Sequence, residues 1–216
     1  MRGNTKRYNG EQIHPREDFT SGGSRGIIKS ITVDDIVNAG ITGENSGSII
    51  REDLASAISE TITSARREGG QFRFDAVQVV SIPRKKGEGM VVFRTNAVDR
   101  YGDPYVILEL NANAVGGLTK PQVDMIFLAA NNTACDCVED AIRHEIGHAK
   151  VINGRSYANY ERIAEELDGV HIEGISDEAK KDGLECIAEI EVLLARGEKV
   201  PDKALELYKI YTTGGG

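Results

Sequence analysis

His144, Glu145 and His148 belong to an H-E-x-x-H motif, which reads His-Glu-Ile-Gly-His in this chain. Two histidines four residues apart lie on one face of a helix, so both imidazoles can bind the same Zn²⁺. A glutamate beside the first histidine can take a proton from a zinc-bound water. The alternative is a surface helix with two solvated histidines. Because the chain has only 4 histidines, two of them in this pattern favour a metal site.

The motif requires a helix around it, since only helical spacing brings the two imidazoles together. Apolar residues recur at steps of three and four between Cys137 and Val151, which predicts one helix over this range. Ile146 and Gly147 carry no charge, as close packing against a second metal-bearing element would require. Helices with this zinc-binding motif more usually carry a hydrophobic residue where this chain has Lys150, which predicts a less deeply buried helix end.

A catalytic zinc site needs a third protein ligand and leaves one position open for water. An H-x-x-G-x-x-H extension is excluded, because the six residues after His148 are Ala, Lys, Val, Ile, Asn and Gly. The third ligand is therefore an Asp or a Glu, or the isolated His171.

An acidic stripe is the strongest candidate for the second half of the site. Its members follow at steps of four, three and four on a helix predicted over 175–196: Glu178, Asp182, Glu185 and Glu189. Like charges at these spacings repel, and a cation facing them would reverse the sign of that cost. Glu185 would then bind the metal, and Glu189 would hold a ligating histidine through its other ring nitrogen. A solvated acidic helix face that binds no metal explains this pattern equally well.

The two motifs together, His144-Glu-Ile-Gly-His148 and Glu185-Cys-Ile-Ala-Glu189, resemble those of the gluzincin zinc peptidases of the anthrax lethal factor type. The likeness is greatest to small relatives in phage and mobile-element proteins, and it covers roughly residues 138–211. It implies that Glu185 is the third zinc ligand and that Glu189 contacts a zinc ligand and not the zinc itself. It also implies that a peptide substrate binds as an added strand.

One position departs from the pattern of these relatives. They often carry a tyrosine seven residues before the ligand glutamate, which stabilises the oxyanion, whereas this chain has Glu178 there. Tyr157, Tyr160 and His171 are the remaining candidates for that role.

A different third ligand stays open as an alternative. A thermolysin-like spacing would select Asp168, with Glu165 and Glu166 just before it. The same segment is also typical of an ordinary amphipathic helix.

Composition predicts one globular domain over residues 25–213, preceded by a polar, flexible arm over 1–24. The 216 residues are 40% hydrophobic and 28% charged, which is typical of soluble proteins. The net charge of −8 argues against binding nucleic acid or an anionic membrane. The first residues contain no apolar run, so we predict a cytoplasmic protein without a signal peptide or membrane span.

Three cysteines, Cys135, Cys137 and Cys186, are predicted to be reduced thiols, since the count is odd and no signal peptide precedes them. Cys135 and Cys137 form a C-x-C pair close to the H-E-x-x-H helix. Such a pair is a weak metal signal without a second one, and buried cysteine is the more usual outcome.

Periodicity and turn residues predict helices, then strands, then helices. The predicted helices span 32–40, 49–67, 137–151, 157–167, 175–196 and 201–211, and the predicted strands span 72–80, 90–93, 105–110 and 123–129. The charged segment 83–89 is predicted to be a hairpin loop, and Val123–Ala129 is the predicted edge strand for substrate. This order predicts an α+β, zincin-like domain with a small, mainly antiparallel sheet, an active-site helix and C-terminal helices.

These patterns predict a Zn²⁺-dependent endopeptidase that acts on a peptide or protein substrate, with Glu145 as the general base. The alternative is a non-catalytic accessory protein of a phage or mobile element, stabilised by the metal. A toxin or effector with one host target is a third possibility. The sequence predicts neither the substrate nor the oligomeric state.

Overall fold

The computed structural model describes residues 31–37, 50–84, 86 and 89–213. These residues form an α+β fold with one three-stranded sheet, eight α-helices and a short 3₁₀ turn. The strands are β1 Ala76–Val80, β2 Phe93–Arg100 and β3 Asp103–Asn111. The helices are α1 Val33–Val37, α2 Glu52–Arg67, α3 Ala112–Val115, α4 Lys120–Leu128, α5 Val138–Ile152, α6 Tyr157–Leu167, α7 Gly183–Ala195 and α8 Asp202–Thr212, and the 3₁₀ turn is Glu178–Lys180. The predicted arm over 1–24 lies outside the described residues.

The sheet has the order β1-β3-β2 and is mixed, because β1 runs parallel to β3 and β2 runs antiparallel to it. Tyr101 and Gly102 join β2 to β3 with φ angles of 58° and 92°. Positive φ at both central residues is the geometry of a tight hairpin turn. The sheet thus combines one antiparallel pairing, β2 with β3, and one parallel pairing, β1 with β3.

The predicted hairpin around 83–89 is wrong, since β1 and β2 each pair with β3 and not with each other. The sequence predicts a strand over 90–93 because these four residues are apolar. In the structure, β2 begins at Phe93 and continues through mostly polar residues to Arg100. The carbonyls of Val91 and Val92 are instead taken by the side-chain and backbone N–H groups of Asn111.

The predicted strand over Val123–Ala129 is also wrong, because this segment lies in α4. The Gln122 side chain accepts a hydrogen bond from the Thr119 amide at 2.9 Å, which completes a capping box at the helix start. Pro121 in the first turn is compatible with a helix and not with a central strand. This local signal overrides the apolar run that suggested a strand.

Helix α5 lies between two hydrophobic clusters and thereby fixes the position of its histidines. Its Ile142 and Ile146 belong to the larger cluster, which also contains the sheet and the buried stripe of α2. Val151 belongs to the second cluster, which α6, α7 and α8 complete. Full burial of each such side chain stabilises the fold by roughly 1.5–3 kcal/mol. The predicted helices over 49–67, 137–151, 157–167 and 201–211 are confirmed within a few residues.

Lys150 does not leave the end of α5 exposed, contrary to the prediction. Its Nζ donates hydrogen bonds to Glu191 Oε2 at 2.6 Å and to the Tyr208 hydroxyl at 2.9 Å. Tyr208 in turn donates to Glu191. The lysine is therefore the cationic member of a buried polar cluster that joins α5, α7 and α8.

Helix α7 begins at Gly183, eight residues later than predicted. Asp182 is the N-cap and accepts a hydrogen bond from the Glu185 amide at 2.9 Å. Glu178 lies before it, in the 3₁₀ turn. The predicted acidic stripe is therefore not one continuous helical face, and only Glu185 and Glu189 share α7. Within the described residues, no helix combines the length and apolar character that crossing a bilayer requires.

The start of α5 is tied to the end of α7 by an ion pair between Asp140 and Arg196, with Arg196 Nε 3.0 Å from Asp140 Oδ1. Burial alone would raise the pKa of Asp140, but hydrogen bonds from Arg196, the Asp136 amide and the Cys137 thiol outweigh it and lower this pKa. A lowered folded-state pKa means that the carboxylate stabilises the fold above its unfolded pKa of about 3.9.

Asp140→Asn is expected to reduce the free energy of unfolding at pH 7 by roughly 1.5–3 kcal/mol, since it removes charged hydrogen bonds. The deficit should shrink as the pH falls from about 4 through the lowered folded-state pKa, because the wild-type carboxylate then takes up a proton as well. Urea unfolding across this pH range measures the difference. Asp136→Asn, at an exposed partner of the same arginine, is the control and should cost less than about 1 kcal/mol. A pH-independent deficit would contradict the assignment.

Candidate metal centre

Close packing of α5 against α7 creates the site. A Cβ atom added at Gly147 would lie 2.7 Å from the Ala188 Cα, so only glycine allows this approach. The contact lies between the two histidines of the H-E-x-x-H motif on one side and between Glu185 and Glu189 on the other. The sequence-based prediction of tight packing at Gly147 is therefore confirmed.

Three side chains converge across this contact. His144 Nε2 lies 3.2 Å from His148 Nε2 and 3.2 Å from Glu185 Oε2, and His148 Nε2 lies 3.7 Å from Glu185 Oε1. Ligand atoms around a tetrahedral zinc with bonds of about 2.0–2.1 Å lie about 3.3 Å apart. The three donors thus have the chemical identity and the spacing of three corners of such a tetrahedron.

Glu189 lies behind His144 and sets the orientation of its ring. The Glu189 side chain is fully buried, and its Oε1 lies 2.9 Å from His144 Nδ1. A buried carboxylate at this distance favours a proton on Nδ1, which leaves the Nε2 lone pair directed at Glu185 and His148. In the neutral ring this lone pair faces the Glu185 carboxylate at 3.2 Å, so a cation between the two atoms, a proton or a metal ion, is favourable.

The charges around the site favour a cation at this point. Burial alone would lower the pKa of His144, but hydrogen bonds with Cys135, Glu185 and Glu189 raise it well above its ordinary value. Burial alone would raise the pKa of Glu185, yet His144 and His148 lower it to about 2. A group of side chains that holds a proton this firmly is also suited to a metal ion, which competes for the same lone pairs.

Glu145 is buried, with 6% of its surface exposed, and its Oε2 has no hydrogen-bond partner among the described residues. A buried carboxylate oxygen without a partner is costly and calls for a functional explanation. Its backbone is held in place, because Thr95 on β2 donates a hydrogen bond to the Glu145 carbonyl at 2.9 Å.

A second group of potential ligands, Cys135, His144 and Glu189, shares one histidine with the first. The Glu189 oxygens already accept hydrogen bonds from Thr133 Oγ1, the Ala134 amide and His144 Nδ1. Burial raises the pKa of the Cys135 thiol, which disfavours the thiolate that a metal requires. Glu189 therefore supports His144, and the group with His148 and Glu185 is the more accessible of the two.

The other residues that the sequence selected lie outside both groups. Asp168 ends α6 in an exposed position, and Glu165, Glu166 and His171 are also exposed. None of these four belongs to a cluster of potential metal ligands in the described part of the chain. The geometry therefore favours Glu185 over Asp168 and over His171 as the third ligand.

Among the described residues, no hydrogen bond or ion pair joins the oxyanion candidates Tyr157, Tyr160 and His171 to the three ligands. Tyr157 and Tyr160 pack edge to face with ring centroids 6.3 Å apart, and burial raises the pKa of both phenols. Glu178 accepts a hydrogen bond from Asn132 Nδ2 at 3.0 Å and pairs with Lys181. It anchors the loop before α5. The role in oxyanion binding stays a prediction.

Two residues near the site were not selected from the sequence. Thr95 contacts the backbone of Glu145 from β2, and Thr133 contacts Glu189 from the loop before α5. Neither stands in a motif, and each contact joins residues 50 or more positions apart. No local pattern could have identified them.

Gly147→Ala is expected to push α5 away from α7 and to separate the histidines from Glu185. Overpacking of this kind costs about 1–3 kcal/mol, offset in part by the higher helix propensity of alanine. We expect a lower midpoint of unfolding and weaker zinc binding by chelator competition. Gly89→Ala is the control, because its added Cβ would meet nothing within 4 Å. Unchanged zinc affinity in Gly147→Ala would contradict the role of this contact.

Comparisons of the chain with models of protein families, with curated proteins and with solved structures found no match.

Proposed function

We propose that this chain is a zinc-dependent peptidase that hydrolyses a peptide bond within its substrate. The observation that carries the proposal is the convergence of His144, His148 and Glu185, with Glu189 behind the first histidine. Two imidazoles and one carboxylate are a ligand set of catalytic zinc sites, which keep a fourth position for water or substrate. The unpaired, buried Oε2 of Glu145 supports catalysis over a purely structural metal, which requires no general base.

The residues have separate roles in the proposed reaction. His144, His148 and Glu185 would hold zinc, which supplies Lewis-acid activation of a water and of the substrate carbonyl. Glu145 accepts a proton from the attacking water and later delivers it to the leaving amine. Glu189 keeps the proton of His144 on Nδ1, so that Nε2 remains available as a ligand.

The outer edge of β2 replaces Val123–Ala129 as the proposed substrate strand, since the latter is helical. In the part of the chain that the structure describes, β2 pairs with β3 on one side and with no strand on the other. Thr95 links this edge strand to the backbone of Glu145. An extended peptide added to this edge would run beside the catalytic residues.

The proposal predicts that the purified chain binds about one zinc ion and cleaves members of a peptide library. A chelator should abolish cleavage, and added zinc should restore it. His144→Ala should lose both stoichiometric zinc, by elemental analysis, and cleavage, since one of three ligands is gone. His171→Ala is the matched control at an exposed histidine and should keep both.

Unchanged zinc content in His144→Ala would contradict the assigned site. One zinc per chain without cleavage would instead favour the accessory protein that keeps its metal as a structural element. That alternative has one observation in its favour, because Tyr157 and Tyr160 form no hydrogen bond with the ligands.

A further inference from the structure

The loop between α4 and α5 is attached to the buried carboxylate of Glu189. Thr133 Oγ1 donates a hydrogen bond to Glu189 Oε1 at 2.9 Å, and the Ala134 amide donates to Oε2. The same Oε1 lies 2.9 Å from His144 Nδ1. One carboxylate oxygen is therefore shared between a loop hydroxyl and the histidine.

The hydrogen bond from Thr133 has a defined direction. The Cys135 amide donates to Thr133 Oγ1 at 2.9 Å, which occupies a lone pair of the hydroxyl oxygen. A hydroxyl has a single proton to donate, and this one points to Glu189. The threonine thus acts as a fixed donor that holds the carboxylate in the orientation that His144 requires.

The loop is also held in place by Glu178, in the 3₁₀ turn before α7. The Asn132 carbonyl accepts a hydrogen bond from the Glu178 amide at 2.8 Å, and the Asn132 side chain donates to the Glu178 carboxylate. The donor at Thr133 therefore belongs to a segment that is attached at two points, and its position is not set by its own contact alone.

We propose that Thr133 is a positioning residue of the metal centre, acting on His144 through Glu189. This inference rests on the proposed zinc function. Removal of the hydroxyl leaves Glu189 with one donor fewer, so its carboxylate can rotate and the His144 ring loses its fixed tautomer. Partners of a ligating histidine typically contribute 10–100-fold to metal affinity. Thr133 lies one hydrogen bond further out, so we expect a loss of roughly 3–10-fold.

The test compares Thr133→Val, which keeps the shape, with Thr133→Ser, which keeps the hydroxyl. Thr61→Val is the control for loss of a buried threonine hydroxyl outside the metal centre, because this hydroxyl donates to the Ala57 carbonyl of its own helix α2. Chelator competition should show weaker zinc binding in Thr133→Val and values close to wild type in the other two. In the Glu189→Ala background, Thr133→Val should have no further effect.

A second readout uses the metal-free chain. Imidazole ¹⁵N shifts, recorded at a pH where the ring is neutral, should report a single Nδ1–H tautomer for His144 in wild type and in Thr133→Ser. Thr133→Val should show a mixture of the two tautomers. This result does not require zinc, so it separates failure of the inference from failure of the proposed function.

Two outcomes would overturn the inference. One is a wild-type tautomer and wild-type zinc affinity in Thr133→Val. The other is an equal loss of affinity from Thr133→Val with and without Glu189, which would show that the threonine acts by another route. If wild type itself binds no zinc, the proposed function fails, and the tautomer comparison still decides whether Thr133 positions His144.

Discussion

Glu145→Gln is expected to retain zinc and the native fold but to lose at least about 100-fold in the rate of hydrolysis, the usual minimum contribution of a general base. Glutamine has nearly the same shape, and the buried Oε2 of Glu145 has no partner in the described residues that the substitution would break. The amide cannot accept a proton from the attacking water. Binding of the metal is unaffected because Glu145 belongs to neither group of potential ligands.

Initial rates on one validated peptide, together with zinc content and circular dichroism, measure the effect. Glu165→Gln is the matched control, because it makes the same chemical change at an exposed position on α6. It should cleave at the wild-type rate. Glu145→Gln with wild-type activity would refute the mechanism, whereas loss of zinc in that variant would show that Glu145 is needed to maintain the site.

The second large effect is expected at the third ligand. Glu185→Ala should lose zinc almost completely, because the carboxylate supplies both charge and a coordinating oxygen. Glu189→Ala should weaken binding by about 10–100-fold, since it only orients His144. Asp168→Ala should bind like wild type, because its side chain is exposed at the end of α6.

Chelator-competition titrations of the three variants at one pH give the order of affinities directly. The expected order is Asp168→Ala equal to wild type, then Glu189→Ala, then Glu185→Ala. Loss of the metal in Asp168→Ala with retention in Glu185→Ala would reverse the assignment. The thermolysin-like spacing would then describe the chain better than the packing of α5 against α7.

The helices that carry the site could be predicted because their signals are local. Apolar residues at steps of three and four define α5, and the same spacing places its two histidines on one face. Glu185 and Glu189 are one turn apart on α7, so their joint position on either side of His144 follows from helical geometry. The family resemblance selected the same two residues, and it stays a prediction.

The errors in the fold have two physical causes. Strand pairing is non-local, so apolar runs alone did not reveal that β1 and β2 both pair with β3. In α4, an apolar run suggested a strand, although the capping box of Thr119 and Gln122 marked a helix start. The helix predicted over 175–196 includes Asp182 in its interior, whereas Asp182 is the N-cap at which α7 starts.

The residues that surround the ligands could not be predicted from the sequence, for a different reason. Thr133 and Thr95 act through contacts with residues far away in the sequence, and each is an ordinary loop or strand residue by composition. Lys150 predicted a less buried helix end, and its buried partner Glu191 could not be foreseen because it comes from another helix. Such pairings depend on tertiary structure.

The coordination of zinc in the purified wild-type chain tests the central claim most directly, and X-ray absorption at the zinc edge measures it. We expect one zinc with nitrogen and oxygen ligands at about 2.0–2.1 Å, from His144, His148, Glu185 and a solvent molecule. A sulfur ligand at about 2.3 Å would instead place the metal beside Cys135 and Glu189. Either that result or the absence of bound zinc would contradict the proposed catalytic centre.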